Sequence, residues 1–154
     1  MRMTSSLLKT VDEIDFLILP SPVLIDHYLP MKIAAIGSRI LLGLAFVAFG
    51  LFPFLTSLPQ PPPPPGLAGE YIKVFVASHY AQVIGAMQLL SGLMLLSGKF
   101  VPLGLTILAA ILFNIWAFHL LMEPAGMVPG AIATVLWAIV FWSHRERFDG
   151  ILRA

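Results

Sequence analysis

PLGLTILAAILFNIWAFHLLM, residues 102–122, runs without a single Asp, Glu, Lys or Arg. A helix rises about 1.5 Å per residue, so roughly 20 apolar residues cross the hydrocarbon core of a bilayer. Pro102 suits the first turn of such a helix, where its missing N–H costs nothing. Working outward, three more stretches have the same character: about Ile33 to Leu55, His79 to Ser97 and Val128 to Trp142. Gly98, Lys99 and Phe100 make a tight turn before the quoted span, and Glu123, Pro124, Ala125 and Gly126 make one after it. The 154 residues are 58% hydrophobic and only 11% charged, too little charge to cover the surface of a domain in water. The expected fold is all-α, a membrane-embedded four-helix bundle.

Residues 1–30 read as an N-terminal extension, poorly ordered or interfacial, ahead of a membrane domain over 31–154. Pro20 and Pro22 cut short the apolar run from Phe16 to Leu19, leaving it too short to span. A second reading starts the protein at Met31, since MKIAAIGSRILLG places a basic residue just before the first span. That span is too long for a signal peptide, and no small-x-small cleavage site follows it. Pro61 to Pro65 favour an extended polyproline segment, which must lie in water or headgroups because it makes no internal hydrogen bonds. From Leu67 to Tyr80 apolar and polar residues mix, and a short amphipathic helix is expected at the membrane surface before the second span.

Lys32, Arg39, Lys99, Arg145, Arg147 and Arg153 fall on one side of four spans, leaving Lys73 opposite. Positive loops stay cytoplasmic, so a multi-pass protein of the cell inner (plasma) membrane with both termini in the cytoplasm is expected. The lipid bilayer is then the first partner. A net charge of +1 and the lack of a basic stripe argue against nucleic acid. Without cysteine there is no disulfide, thiolate nucleophile or iron–sulfur cluster. No phosphate-binding loop, serine triad, zinc signature or dinucleotide fingerprint is present.

Membrane helices pack through small residues and a few polar contacts. Arg39, Gly43, Phe46 and Gly50 fall within ~60° of one another around the first span, and Gly85, Gln88 and Gly92 share a face of the second. Both stripes are assigned to the bundle interior. Gln88 and Asn114 lie near the middle of antiparallel neighbours at similar depth. An amide–amide contact is expected there, either as structural glue or as a binding site for a ligand or quinone headgroup with apolar walls. Arg39 completes the set of candidate cofactor-binding polar groups; snorkelling, or contacts to helix-end carbonyls and Ser91, is its structural alternative. His79 and His119 reach similar depth, and Glu123 lies one turn beyond His119. The three are metal-site or proton-relay candidates, or ordinary interfacial residues. Asn114 and His119 are ~140° apart around their helix, which assigns them to separate pockets.

Taken in order, RILLGL at 39–44, FGL at 49–51, the proline-and-glycine loop, LLSGLMLLSGKFVPL at 89–103, NIWAFHLLMEPAG at 114–126 and the ending WSHRERF at 142–148 resemble the DoxX family of small four-span membrane proteins, from about Met31 to Leu152. The resemblance implies a non-catalytic accessory subunit of a quinone-linked membrane redox system, with other redox subunits as partners. The alternative is a stand-alone binder or carrier of a small apolar molecule such as a quinone or lipid. Arg39, Asn114, His119 and Glu123 match the family pattern. Pro53 stands where relatives often carry lysine, and Gln88 and Trp137 where they often carry glutamate. Losing acid and base together is electrostatically coherent, because either one alone is a buried unpaired charge. It argues against a charge-based relay, and no other catalytic constellation is present.

Overall fold

The computed structural model describes residues 22–55 and 62–152. Contacts divide the chain into Met1–Ala34 and Ala35–Ala154. The described part of the first unit is the beginning of helix α1, Pro22–Leu51. That helix starts well before the expected Ile33 and continues through Pro30. A proline costs one backbone hydrogen bond and crowds the preceding turn, but it does not end a helix that long flanking segments sustain. The Phe16 to Leu19 run, most of the extension, and residues 56–61 and 153 lie outside the described residues.

In the second unit, α1 ends in a 3-10 turn, Phe52–Phe54, with Pro53 in its first turn, where a missing N–H costs nothing. Then come α2 (Leu67–Ala77), α3 (Tyr80–Ser97), α4 (Val101–Leu121) and α5 (Met127–His144). No strand occurs among the described residues. Four segments, Pro30–Phe54, Tyr80–Ser97, Val101–Leu121 and Pro124–Phe148, are long and apolar enough to cross a membrane. The protein is a multi-pass membrane protein built as an all-α four-helix bundle, and α2 is the short helix expected before the second span.

Exposure follows from the solvent. Ile40, Leu44, Phe113, Leu120, Val128 and Ile132 are all exposed, which suits hydrocarbon rather than water. The core is narrow: Leu42 and Phe46 of α1 meet Leu95 of α3, Leu105 and Leu108 of α4 and Val140 of α5. Lipid tails are as apolar as these side chains, so close packing rather than burial from water holds the helices together.

The glycine stripes provide that packing. A Cβ on Gly50 would stand 2.5 Å from the backbone N of Leu89 and 2.7 Å from the carbonyl oxygen of Gly85, while one on Gly85 would stand 2.8 Å from the carbonyl of Gly50. The same reciprocity joins Gly92 to the carbonyl of Gly43 at 2.8 Å. Seven residues separate the glycines on each helix, so α1 and α3 touch backbone to backbone at two levels. Two tryptophans tie α4 to α5. Trp116 Nε1 donates to Thr134 Oγ1 at 2.9 Å, and Trp137 Nε1 donates to the carbonyl of Leu105 at 2.9 Å. Trp142 remains exposed, with the Arg145 guanidinium 5.0 Å above its ring, as an interface anchor requires.

The charged ending is more ordered than its composition implies. Arg145–Phe148 form a 3-10 turn, and Phe148 is buried with its ring 5.0 Å from that of Phe141. One aromatic side chain thereby draws the last turn back onto the bundle.

Candidate functional site

A cavity of about 420 Å³ lies between the end of α1, α2, α3 and α4. Its walls are set by helical periodicity. On α3, Tyr80, Ala81, Ile84, Gly85, Met87 and Gln88 line it, and on α4, Ala110, Ile111, Asn114, Ile115, Phe118 and His119. Pro53 closes it from the 3-10 turn after α1, and Tyr71, Ile72 and Phe75 from α2.

The α2 end is a continuous run of rings. Tyr80 meets Phe75 edge-on at 5.5 Å, Phe75 stacks on Tyr71 at 5.7 Å, Tyr71 leans on Phe118 at 5.6 Å, and Phe118 meets His119 at 5.2 Å. Local sequence explains why α2 supplies this roof. Ala68 and Gly69 are buried and Ile72 and Phe75 half-buried on its inward side, whereas Glu70 and Lys73 point away. Pro64 lays its carbonyl against Gly69, where no side chain fits, which pins the polyproline segment to the first turn of α2. His79 links α2 to α3 in a left-handed conformation, φ 61°, and folds the short helix over the top of the bundle.

At the opposite end of the cavity lie the amides. Gln88 and Asn114 line the same space, as their matched depth implies, but the expected amide–amide contact is absent. Asn114 Nδ2 donates to the carbonyl of Ala110 in its own helix at 2.9 Å. This i to i−4 bond competes with any bond across the helices, because a short polar side chain reaches the preceding turn at no cost in reach. Gln88 has no hydrogen-bond partner among the described residues. Asn114 and Ala110 are exposed beside the exposed Met87, so this end opens sideways between α3 and α4, onto the lipid-facing surface.

Two further expectations are corrected by the geometry. His119 shares the cavity with Asn114, because the space widens under α2 and reaches around α4 where an angular argument on one helix does not apply. His79, His119 and Glu123 do not gather: among the described residues no three His, Asp or Glu side chains are placed to hold a metal ion. His79 is exposed in the α2–α3 link. His119 turns onto its own helix end, where Nδ1 lies 2.8 Å from the Glu123 carbonyl. A carbonyl only accepts, so Nδ1 carries the proton. The ring also packs against Gly126, at a position no Cβ can occupy.

Arg39 is separated from the amides. It does not line the cavity; its guanidinium lies over the α3–α4 turn, where a Cβ on Gly98 would stand 2.5 Å from Nη1. Arg39 makes no hydrogen bond to Ser91, whose Oγ donates to the carbonyl of Met87 at 2.7 Å. The candidate polar set is therefore two sites at different levels.

The lateral opening and the aromatic roof were not legible in the sequence, although the four-residue spacing of Tyr71 and Phe75 on α2 carries a trace of the roof. No family model, curated protein or solved structure matches this chain.

Proposed function

We propose that the protein binds a small amphiphilic molecule with a neutral, hydrogen-bonding head, of the quinone type, drawn sideways from the bilayer into the cavity between α3 and α4. The observation that carries this reading is the spare hydrogen-bonding capacity of Gln88 and Asn114 inside apolar walls. An unpaired amide in hydrocarbon is costly, and a ligand with carbonyl or hydroxyl oxygens removes that cost. Apolar walls with a few convergent polar groups are the usual character of small-molecule sites. The gap beside Met87 and Asn114 leaves room for a tail to stay among lipids while the head reaches the amides.

Resemblance to the DoxX family supports placing this binder as a non-catalytic accessory subunit of a quinone-linked redox system, in the plasma membrane with both termini cytoplasmic. Quinone is the cofactor that reading names, and redox subunits are its partners.

The test is gentle purification followed by mass spectrometry of co-purifying lipids and proteins, for the native chain and for Gln88→Leu with Asn114→Leu. The expected result is a quinone or comparable amphiphile retained by the native chain and lost from the double variant, with helicity unchanged. Equal retention by both rejects the site. Retention of the small molecule without any oxidoreductase subunit keeps the binder and rejects the accessory role.

A further inference from the structure

We infer that Arg39 and the α3–α4 turn form a binding site for an anionic phosphate group at the Gly98 end of the bundle, independent of the cavity. The argument starts from the charge. Residues 31–51 of α1, and α3, α4 and α5, contain no Asp or Glu, so no acid in a span neutralises Arg39. Its Nε is buried and has no hydrogen-bond partner, so this nitrogen reaches neither water nor protein. The guanidinium makes no hydrogen bond or ion pair among the described residues, and the charge must be met at its two Nη nitrogens.

The turn is shaped around that group. Gly98 is left-handed, φ 69°, and its missing Cβ is what lets Nη1 and Cζ lie across the backbone. Phe100 is also left-handed, φ 57°, and its ring is exposed on the lipid-facing surface. Between them Lys99 is exposed, with its backbone N–H occupied by Ser97 Oγ at 3.2 Å. The turn thus brings two cations together, one half-buried and one free to swing, beside an exposed aromatic ring at the end of two spans. That is the level at which lipid phosphates lie. A guanidinium matches two phosphate oxygens with two parallel N–H bonds, and a nearby ammonium adds a point charge. Snorkelling to water alone leaves Nε sealed and the charge half-desolvated, whereas a phosphate compensates it where it stands.

Two sources supply this chemistry: the phosphodiester of an anionic phospholipid and free phosphate. The experiment is native mass spectrometry of the full chain in detergent with phosphatidylglycerol or phosphatidylcholine added, with and without inorganic phosphate. The expected result is a preference of roughly tenfold for phosphatidylglycerol, the size of one charge-assisted contact. That preference falls to parity in Arg39→Gln and is partly kept in Arg39→Lys, which retains charge but loses the fork. Displacement by millimolar inorganic phosphate identifies a soluble anion as the occupant; resistance to it identifies the lipid. If Arg39→Gln fails to fold by circular dichroism, Gly98→Ala is the second variant, since it pushes the guanidinium off the turn and is expected to lose the preference too. Equal retention of both lipids by the native chain, or undiminished preference in the folded variants, overturns the site.

Discussion

Gln88 illustrates how one side chain separates structural from binding roles. If its amide were glue between helices, replacing it with leucine would remove a contact worth about 0.6–2 kcal/mol. Here the amide has no partner, and the leucine side chain suits apolar walls better. Gln88→Leu is therefore expected to leave thermal stability in detergent unchanged or to raise it by about 0.5–2 kcal/mol, while ligand retention falls. A clear loss of stability with retention intact would return Gln88 to the structural role. Asn114 differs, since its bond to Ala110 already satisfies one of its donors. Sequence position placed the two amides at one depth. It left open which partner each takes, because the nearest acceptor to a mid-helix asparagine is its own preceding turn, a competition that spacing alone does not resolve.

Between elements, the contacts that decide stability are the ones made without side chains. Gly50 and Gly37 are both glycines of α1, but a Cβ on Gly37 meets nothing within 4 Å, whereas on Gly50 it meets the backbone of α3 at 2.5 Å. Backbone cannot turn aside as a flexible side chain can. Gly50→Ala is expected to destabilise by about 1–3 kcal/mol through forced separation of α1 and α3. Gly37→Ala is expected to be neutral or stabilising by up to about 1 kcal/mol through helix propensity. Thermal unfolding of both variants in one detergent checks the contrast, and equal effects would mean that the α1–α3 contact does not hold the bundle. The glycine stripes themselves were legible from periodicity. Their pairing across helices, Gly43 with Gly92 and Gly50 with Gly85, was not, because it depends on the relative height of two rods joined by a loop whose length does not set their register.

For the whole molecule, the distribution of Lys and Arg predicts which way the bundle faces. The chain has no cysteine, so single-cysteine labelling needs no background removal. Lys99→Cys is expected to react with a membrane-impermeant thiol reagent only from the cytoplasmic side, and Glu123→Cys only from the other, as the distribution of Lys and Arg requires. Labelling of both from the same side would break the four-span topology, and exchanged sides would invert it. The cavity roof of α2 and the Arg39 turn lie at opposite ends of α3, so the same experiment assigns each of the two proposed sites to a leaflet.

Composition and charge spacing alone determined the solvent, the number of spans, their approximate ends and the short helix over the bundle. They could do so because a bilayer imposes one length and one chemistry on every segment that crosses it, and each segment can be read without its neighbours. The tertiary structure alone decided that Gln88 and Asn114 share a cavity without bonding, that His79 stands apart from His119, and that Arg39 lies over Gly98 rather than with the amides. Those outcomes depend on distances between helices, which arise from where backbones touch and which carbonyl is nearest.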